Sequence, residues 1–172
     1  MADLIRLKLL ATYGGLWIDA TMYLTKDLSD DYFVKPFYSI KNYPVSNFSV
    51  SNYRWASFFL GATVDSLYFK HLAYVFEKYL IDKRYIMHYL MIDYFIDLLY
   101  RNDEYLKALI DSIPITNEHM HTLRENFNKP YNLQEWREWT SNTTIFKLTY
   151  KGELRYRDAS YREAFFGFIT SK

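Results

Sequence analysis

The fold is decided by residues 2–24, which read ADLIRLKLLATYGGLWIDATMYL. Apolar residues recur at helical spacing in the first half of this stretch, which predicts a helix over residues 3–13. Gly14 and Gly15 follow, and two adjacent glycines are a strong signal for a helix end and a tight turn. Residues 16–18 are a short apolar run that predicts a buried strand. A helix, a turn and a strand in this order indicate an α/β unit.

Three charged side chains flank this unit. Asp3 and Arg6 are three residues apart, so they share one face of the predicted helix. Asp19 directly follows the predicted strand, at the end where ligands of open α/β sheets gather. We therefore expect the three to surround one pocket, where they suit a ligand that carries hydroxyls and phosphates. The alternative is purely structural: a helix cap, a surface arginine paired with it, and the start of a turn.

The later elements follow from the hydrophobic period. Short strands and loops are predicted over residues 20–62, with 58–60 as the second strand of a sheet. Helical spacing begins after a cap at Asp65 or Ser66, and a second, more apolar helix is predicted over residues 84–100.

The last third of the chain contains further start signals for helices. We expect Asp103, Asn117 and Asn132 each to cap a helix. Residues 144–150 alternate and precede a turn, so 154–156 is predicted to return as the second strand of a hairpin.

Together these elements predict a helix-rich α/β fold. It would have a short sheet in the N-terminal third, a helical portion over residues 65–140, and a C-terminal strand or hairpin. We interpret residues 1–172 as one domain, which is an ordinary size for a single hydrophobic core.

The composition excludes several classes of protein. The chain has 21 Lys and Arg against 20 Asp and Glu, a net charge of +1. Binding through nucleic-acid phosphates needs a clustered cationic excess, so no nucleic-acid partner is expected. The chain has no cysteine, which excludes disulfides, thiolate metal sites and cysteine nucleophiles.

Residues 2–24 resemble the signature of glycosyltransferases whose sugar-binding region contains a DXD motif. Among them the stretch is most similar to the bacterial capsular polysaccharide synthesis proteins. The shared features are an Asp-x-x-Arg helix, a Gly-Gly pair, an aromatic residue and an acidic motif. Residues 147–151 resemble a segment near the end of such proteins, and residues 85–89 more loosely resemble an aromatic helix in their middle.

The resemblance implies a GT-A type transferase that takes a sugar from a nucleotide-sugar donor with retention of configuration. The acceptor would be a saccharide or lipid-linked precursor of a capsular or lipopolysaccharide-type polymer. Asp3 and Arg6 would contact sugar or ribose hydroxyls of the donor. Asp19 would be the first carboxylate of the acidic motif, with Thr21 nearby, and Lys147 would face the diphosphate.

A divalent cation is a candidate cofactor, because the departing nucleoside diphosphate gains negative charge that must be stabilised. Mg²⁺ and Mn²⁺ prefer oxygen ligands, and Asp19 is the candidate metal ligand. Thr21 stands where the DXD pattern has its second acidic residue, so metal dependence is left open.

The candidate catalytic residues are Asp19, His88 and Asp93. His88 is expected on an apolar helix, either as a hydrogen-bonded core residue or as a lining residue of the acceptor cleft. Asp93 and Asp97 share a helix face, so they could serve acid–base or metal chemistry; solvation or pairing with a neighbouring Lys or Arg is the simpler interpretation.

Family members carry a nucleotide-binding segment before the Asp-x-x-Arg helix, whereas only Met1 and Ala2 precede it here. We interpret the chain as an N-terminally truncated fragment that binds nucleotide sugars poorly by itself. Alternatively, it is a trimmed sequence or a self-standing remnant with another role. The alternative function is a non-catalytic helical interaction module or an inactive fragment. The resemblance implies a cytoplasmic location and allows peripheral association with the inner face of the membrane.

Overall fold

The computed structural model describes residues 2–44, 47 and 49–171. These residues form a helix-rich α/β structure, as expected. Its elements are α1 Ala2–Tyr13, β1 Gly15–Ile18, β2 Met22–Leu24, β3 Tyr38–Ser39, β4 Phe59–Ala62, α2 Leu67–Lys83, α3 Met91–Asn102, α4 Glu104–Asp111, α5 Thr122–Glu125, α6 Leu133–Asn142, β5 Ile145–Lys147 and α7 Phe165–Thr170.

The chain divides into two compact units. The first unit comprises Met1–Asp19 and Leu28–Ile115, and the second comprises Ala20–Asp27 and Thr116–Lys172. The assignment of the whole chain to one domain stays a prediction. No helix in the described ranges is long and apolar enough to span a lipid bilayer.

The first unit is built on an antiparallel sheet with the strand order β1-β4-β3. Strand β1 pairs with β4 from Gly15 opposite Ala62 to Ile18 opposite Phe59. The predicted second strand is therefore confirmed, one residue later than expected. Strand β1 is only half-buried, because it lies at the edge of the described sheet.

Helix α1 packs its apolar face into the core of the first unit. It buries Leu7, Leu10 and Ala11, and it also buries Arg6. These side chains join a core of apolar residues from α2, α3, α4, the sheet and the segment before β3. It includes Phe37, Leu60, Phe69, Leu72, Phe76, Ile96 and Leu106.

The helix predicted over residues 84–100 is wrong in its first seven residues. Helix α2 ends because Arg84 adopts the left-handed conformation, with φ of 59°. Residues 84–90 form a loop, and α3 begins only at Met91. The cap at Asp103 is confirmed, since its carboxylate accepts a hydrogen bond from the Leu106 amide at 2.8 Å.

In the second unit the predicted C-terminal strand is confirmed as β5, but its predicted hairpin partner over residues 154–156 is wrong. Strand β5 pairs with β2, with Met22 opposite Lys147, so the strand partner comes from far away in sequence. The carbonyl of Tyr156 instead accepts a hydrogen bond from the Ala164 amide at the start of α7. The core of this unit contains Leu123, Phe127, Trp139, Phe146, Phe165 and Ile169.

Two asparagines in this unit have different outcomes. Asn132 accepts hydrogen bonds from the amides of Gln134 and Glu135, which confirms it as the cap of α6. Asn117 does not cap a helix. Its side-chain oxygen accepts from the amides of Thr144 and Ile145, because it is buried beside the entry to β5.

We predict that Gly14→Ala destabilises the protein more than Gly15→Ala. Both glycines have positive φ, which costs an alanine about 1 kcal/mol. A Cβ at Gly14 would also lie 2.5 Å from the Val64 amide nitrogen, whereas one at Gly15 meets nothing within 4 Å. Urea unfolding should show a loss of about 3 kcal/mol for Gly14→Ala and about 1 kcal/mol for Gly15→Ala. Equal losses would contradict the close backbone approach at Gly14.

Candidate functional site

The Arg6 guanidinium is the centre of a polar cluster in the first unit. Its Nη2 lies 3.4 Å from Oδ1 of Asp3 and 3.3 Å from Oδ1 of Asp19. Its Nη1 donates a hydrogen bond to the carbonyl of Ser57. One side chain thus joins the start of α1, the residue after β1 and the segment before β4. The prediction that the three charged side chains lie close together is confirmed, and the pocket that they were expected to surround stays a prediction.

The reason for this convergence differs from the one expected. The sheet is antiparallel, so the end of β1 lies beside the start of β4, where the Asp19 amide donates to the carbonyl of Phe58 at 3.1 Å. Arg6 reaches this edge because α1 buries it. The alternative of a surface arginine is wrong, since Arg6 is only 7% exposed.

Trp17 completes what we call the arginine cluster, defined as Asp3, Arg6, Trp17 and Asp19. The indole Nε1 donates to Oδ1 of Asp19 at 3.0 Å, and the guanidinium carbon lies 5.0 Å from the ring centroid. The carboxylate side chains of Asp3 and Asp19 are 24% and 30% exposed, against 9% for that of Arg6. A buried cation therefore holds two partly exposed carboxylates.

Asp93 is attached to this cluster through Ser57. Its Oδ1 accepts a hydrogen bond from Nε1 of Trp55 at 2.9 Å, and its Oδ2 accepts one from the Ser57 hydroxyl at 3.3 Å. The carbonyl of the same serine accepts from Arg6. The expectation of solvation or of pairing with a Lys or Arg is wrong for Asp93, because it is buried against neutral donors.

Burial raises the pKa of Asp93 to about 6. The hydrogen bonds from Trp55 and Ser57 oppose this rise, while the nearby charge of Asp3 raises the pKa and that of Arg6 lowers it. Sequence reasoning missed Trp55 and Ser57 as members of this network. No local motif marks them, since their partners lie 36 or more residues away along the chain.

The other carboxylate of the pair behaves as the simpler interpretation predicted. Asp97 forms an ion pair with Arg101, in which Oδ2 lies 2.7 Å from Nε, and its Oδ1 is 4.0 Å from Nη1 of Arg54. Asp97 is therefore paired with Arg101 and lies near Arg54, which is the simpler of the two interpretations.

The structure does not bring His88 to the arginine cluster. It lies exposed in the loop before α3, so its expected place on an apolar helix is wrong. Its Nδ1 accepts a hydrogen bond from the Leu90 amide at 3.0 Å, and its ring packs edge-on against Tyr94. None of its contacts in the described part of the chain reaches Asp3, Arg6 or Asp19.

Thr21 and Lys147 are neighbours in the second unit. The Thr21 carbonyl accepts a hydrogen bond from the Leu148 amide at 2.7 Å, and Lys147 follows Phe146 at the end of β5. Nearby, burial lowers the pKa of His121 to about 4, and the positive charges of Arg124 and Lys147 lower it further. The charges of Arg124 and Lys147 therefore both act on His121. The donor-binding roles of Thr21 and Lys147 stay predictions.

The arginine cluster fits a divalent cation poorly. Oδ1 of Asp19 already accepts from both Arg6 and Trp17, and the guanidinium places a positive charge between the two carboxylates. Over the described ranges no three His, Asp or Glu side chains are grouped to hold a metal ion. The predicted Mg²⁺ or Mn²⁺ at Asp19 therefore gains no support from its neighbours.

We predict that Asp93→Asn changes how stability depends on pH. The pKa of Asp93 is about 6 in the folded protein against an ordinary value of 3.8, so the folded state holds a proton that the unfolded state releases between these values. Stability from this group is therefore full below about pH 3 and is lost, by about 3 kcal/mol in all, as the pH rises through 6 to about 7.

The Asn side chain can still accept from Trp55 and meet the Ser57 hydroxyl, but it does not titrate. Urea unfolding at a series of pH values should show the stability of Asp93→Asn rising relative to the unmodified protein by about 3 kcal/mol between about pH 3 and about pH 7. A difference that stays constant across this range would show that Asp93 does not titrate there.

Comparison with known proteins identifies a family. The family model described as capsular polysaccharide synthesis protein matches residues 1–166. No curated protein and no solved structure matches the chain. Because the family model covers nearly all of the 172 residues, the chain belongs to the capsular polysaccharide synthesis protein family.

Proposed function

We propose that the protein is a glycosyltransferase that moves a hexose from a nucleotide-sugar donor to a cell-surface polysaccharide precursor. The observation that carries the proposal is the arginine cluster, in which buried Arg6 holds the partly exposed carboxylates of Asp3 and Asp19. Family membership supports polysaccharide synthesis as the setting. The GT-A type fold and retention of configuration belong to the same proposal and rest on the resemblance of residues 2–24.

The charges of the cluster favour hydroxyl groups as its ligand. Two carboxylates and one guanidinium give a net charge of −1, which repels a diphosphate. Carboxylates are strong acceptors for hydroxyl donors. We therefore assign Asp3 and Asp19 to the sugar or ribose hydroxyls of the donor. Arg6 holds these carboxylates in place.

The departing nucleoside diphosphate needs positive charge, since negative charge grows on it as the glycosidic bond breaks. We assign this role to Lys147, whose segment resembles one near the end of the family's proteins. Thr21 is its neighbour in the second unit and is assigned a hydrogen bond to the donor. A divalent cation is not required for either assignment.

Of the remaining two candidates, Asp93 and His88, only Asp93 receives a role. Asp93 is buried, so we assign it a positioning role: it holds Ser57, whose carbonyl in turn holds Arg6. We assign no step to His88, because its contacts are with Leu90 and Tyr94.

Substitution of Asp19 tests the proposal. The natural gene product is incubated with a panel of nucleotide hexoses and an acceptor extract, and release of nucleoside diphosphate is measured. Asp19→Ala should lower the rate by about a hundredfold or more, since it removes a charged contact to the reacting sugar. The matched control is Asp27→Ala, which removes an exposed carboxylate outside the cluster and should leave the rate unchanged.

Two results would overturn the proposal in different ways. Normal turnover by a folded Asp19→Ala variant would show that the arginine cluster is not part of the donor site. If the unmodified protein consumes no donor in the panel and elutes as an obligate oligomer, the transferase itself is wrong and the interaction module is favoured.

A further inference from the structure

The loop between α2 and α3 exposes a run of apolar side chains. Tyr85, Ile86, Met87 and Tyr89 are between 48% and 90% exposed, and they are nearly consecutive. Single exposed apolar residues are ordinary on protein surfaces, but a contiguous apolar patch marks an interaction site. Nothing in the proposed transfer reaction uses these side chains.

The apolar surface continues onto α3. Tyr94 and Leu98 are about half exposed, and with Met87 and His88 they line a cavity of about 440 Å³. The same cavity is walled by the apolar side chains of Tyr79, Met91 and Phe95. We define the loop patch as Tyr85, Ile86, Met87, Tyr89, Tyr94 and Leu98.

Basic residues stand directly beside the loop patch. Lys83 ends α2 and Arg84 follows it. Both are exposed, and no ion pair to either of them occurs in the part of the chain that the structure describes. Residues 78–90 contain three cations, Lys78, Lys83 and Arg84, against one anion, Asp82. The border of the patch is therefore positively charged.

We propose that the loop patch docks on the surface of a lipid bilayer that contains anionic lipids. Tyrosine rings suit the headgroup region, because one end of the ring is apolar and the other is polar. Ile86 and Met87 would enter the acyl boundary, and Lys83 and Arg84 would meet lipid phosphates. This inference does not depend on the arginine cluster or on transfer activity.

Co-sedimentation with lipid vesicles tests the inference. The probes are vesicles of phosphatidylcholine alone and vesicles of phosphatidylcholine with phosphatidylglycerol in equal parts. The protein should bind the second kind more tightly, by about tenfold or more, and added salt should weaken the binding. Lys83→Gln with Arg84→Gln should abolish this preference for anionic vesicles.

A matched pair of variants separates the loop patch from exposed tyrosines in general. Tyr89→Ser should weaken vesicle binding several-fold, because it removes a side chain from the bilayer interface. Tyr161→Ser removes a tyrosine that is 80% exposed in the second unit, and it should leave binding unchanged. Circular dichroism of each variant verifies that it is folded.

Three outcomes would overturn the inference. Equal binding to neutral and anionic vesicles would show that the basic border has no role. Equal effects of Tyr89→Ser and Tyr161→Ser would show that the loop patch is not the contact. Loss of a dimer on size exclusion in Tyr89→Ser, with vesicle binding unchanged, would assign the patch to a second copy of the chain.

Discussion

A buried positive charge is the constraint on which the first unit depends. Arg6 lies on the core side of α1, and a guanidinium removed from water is tolerated only when acceptors surround it. Asp3, Asp19 and the Ser57 carbonyl supply those acceptors, and they come from three separate segments. The helix, the end of β1 and the segment before β4 are therefore tied to one side chain. What stabilises this part of the fold also fixes the two carboxylates that we assign to the donor.

Helix caps could be predicted from the sequence, because a capping side chain binds amides of residues that follow it directly in the chain. Asp103 and Asn132 cap helices as expected, since each accepts from amides two or three residues further on. Asn117 has the same residue type and preference, but its amide partners are 27 and 28 residues away. The loop over residues 84–90 was missed because its apolar side chains resemble a helical pattern, whereas the left-handed residue Arg84 ends the helix.

In the candidate site, too, local features could be predicted and contacts between distant segments could not. Asp3, Arg6 and Asp19 were predicted together from spacing, yet the rule for parallel sheets that supported Asp19 does not apply to this antiparallel sheet. The three side chains converge instead because Arg6 is buried. This burial could not be predicted, since a charged residue in an amphipathic helix is expected to face solvent. Ser57 and Asp93 extend the network through tertiary contacts: Asp93 is buried and accepts a hydrogen bond from Ser57, whose carbonyl accepts one from Arg6. Contacts between residues so far apart could not be predicted from the sequence alone.

A double-mutant cycle on Arg6 and Asp19 tests this account most directly. The free energy of unfolding is measured by urea denaturation for Arg6→Gln, Asp19→Asn and the combined variant. If Arg6 is held by Asp19 as the 3.3 Å contact indicates, the two losses are not additive, and the coupling energy is about 1 kcal/mol or more. Losses that add to within about 0.5 kcal/mol would show that the two side chains act independently, which contradicts a cluster organised by Arg6.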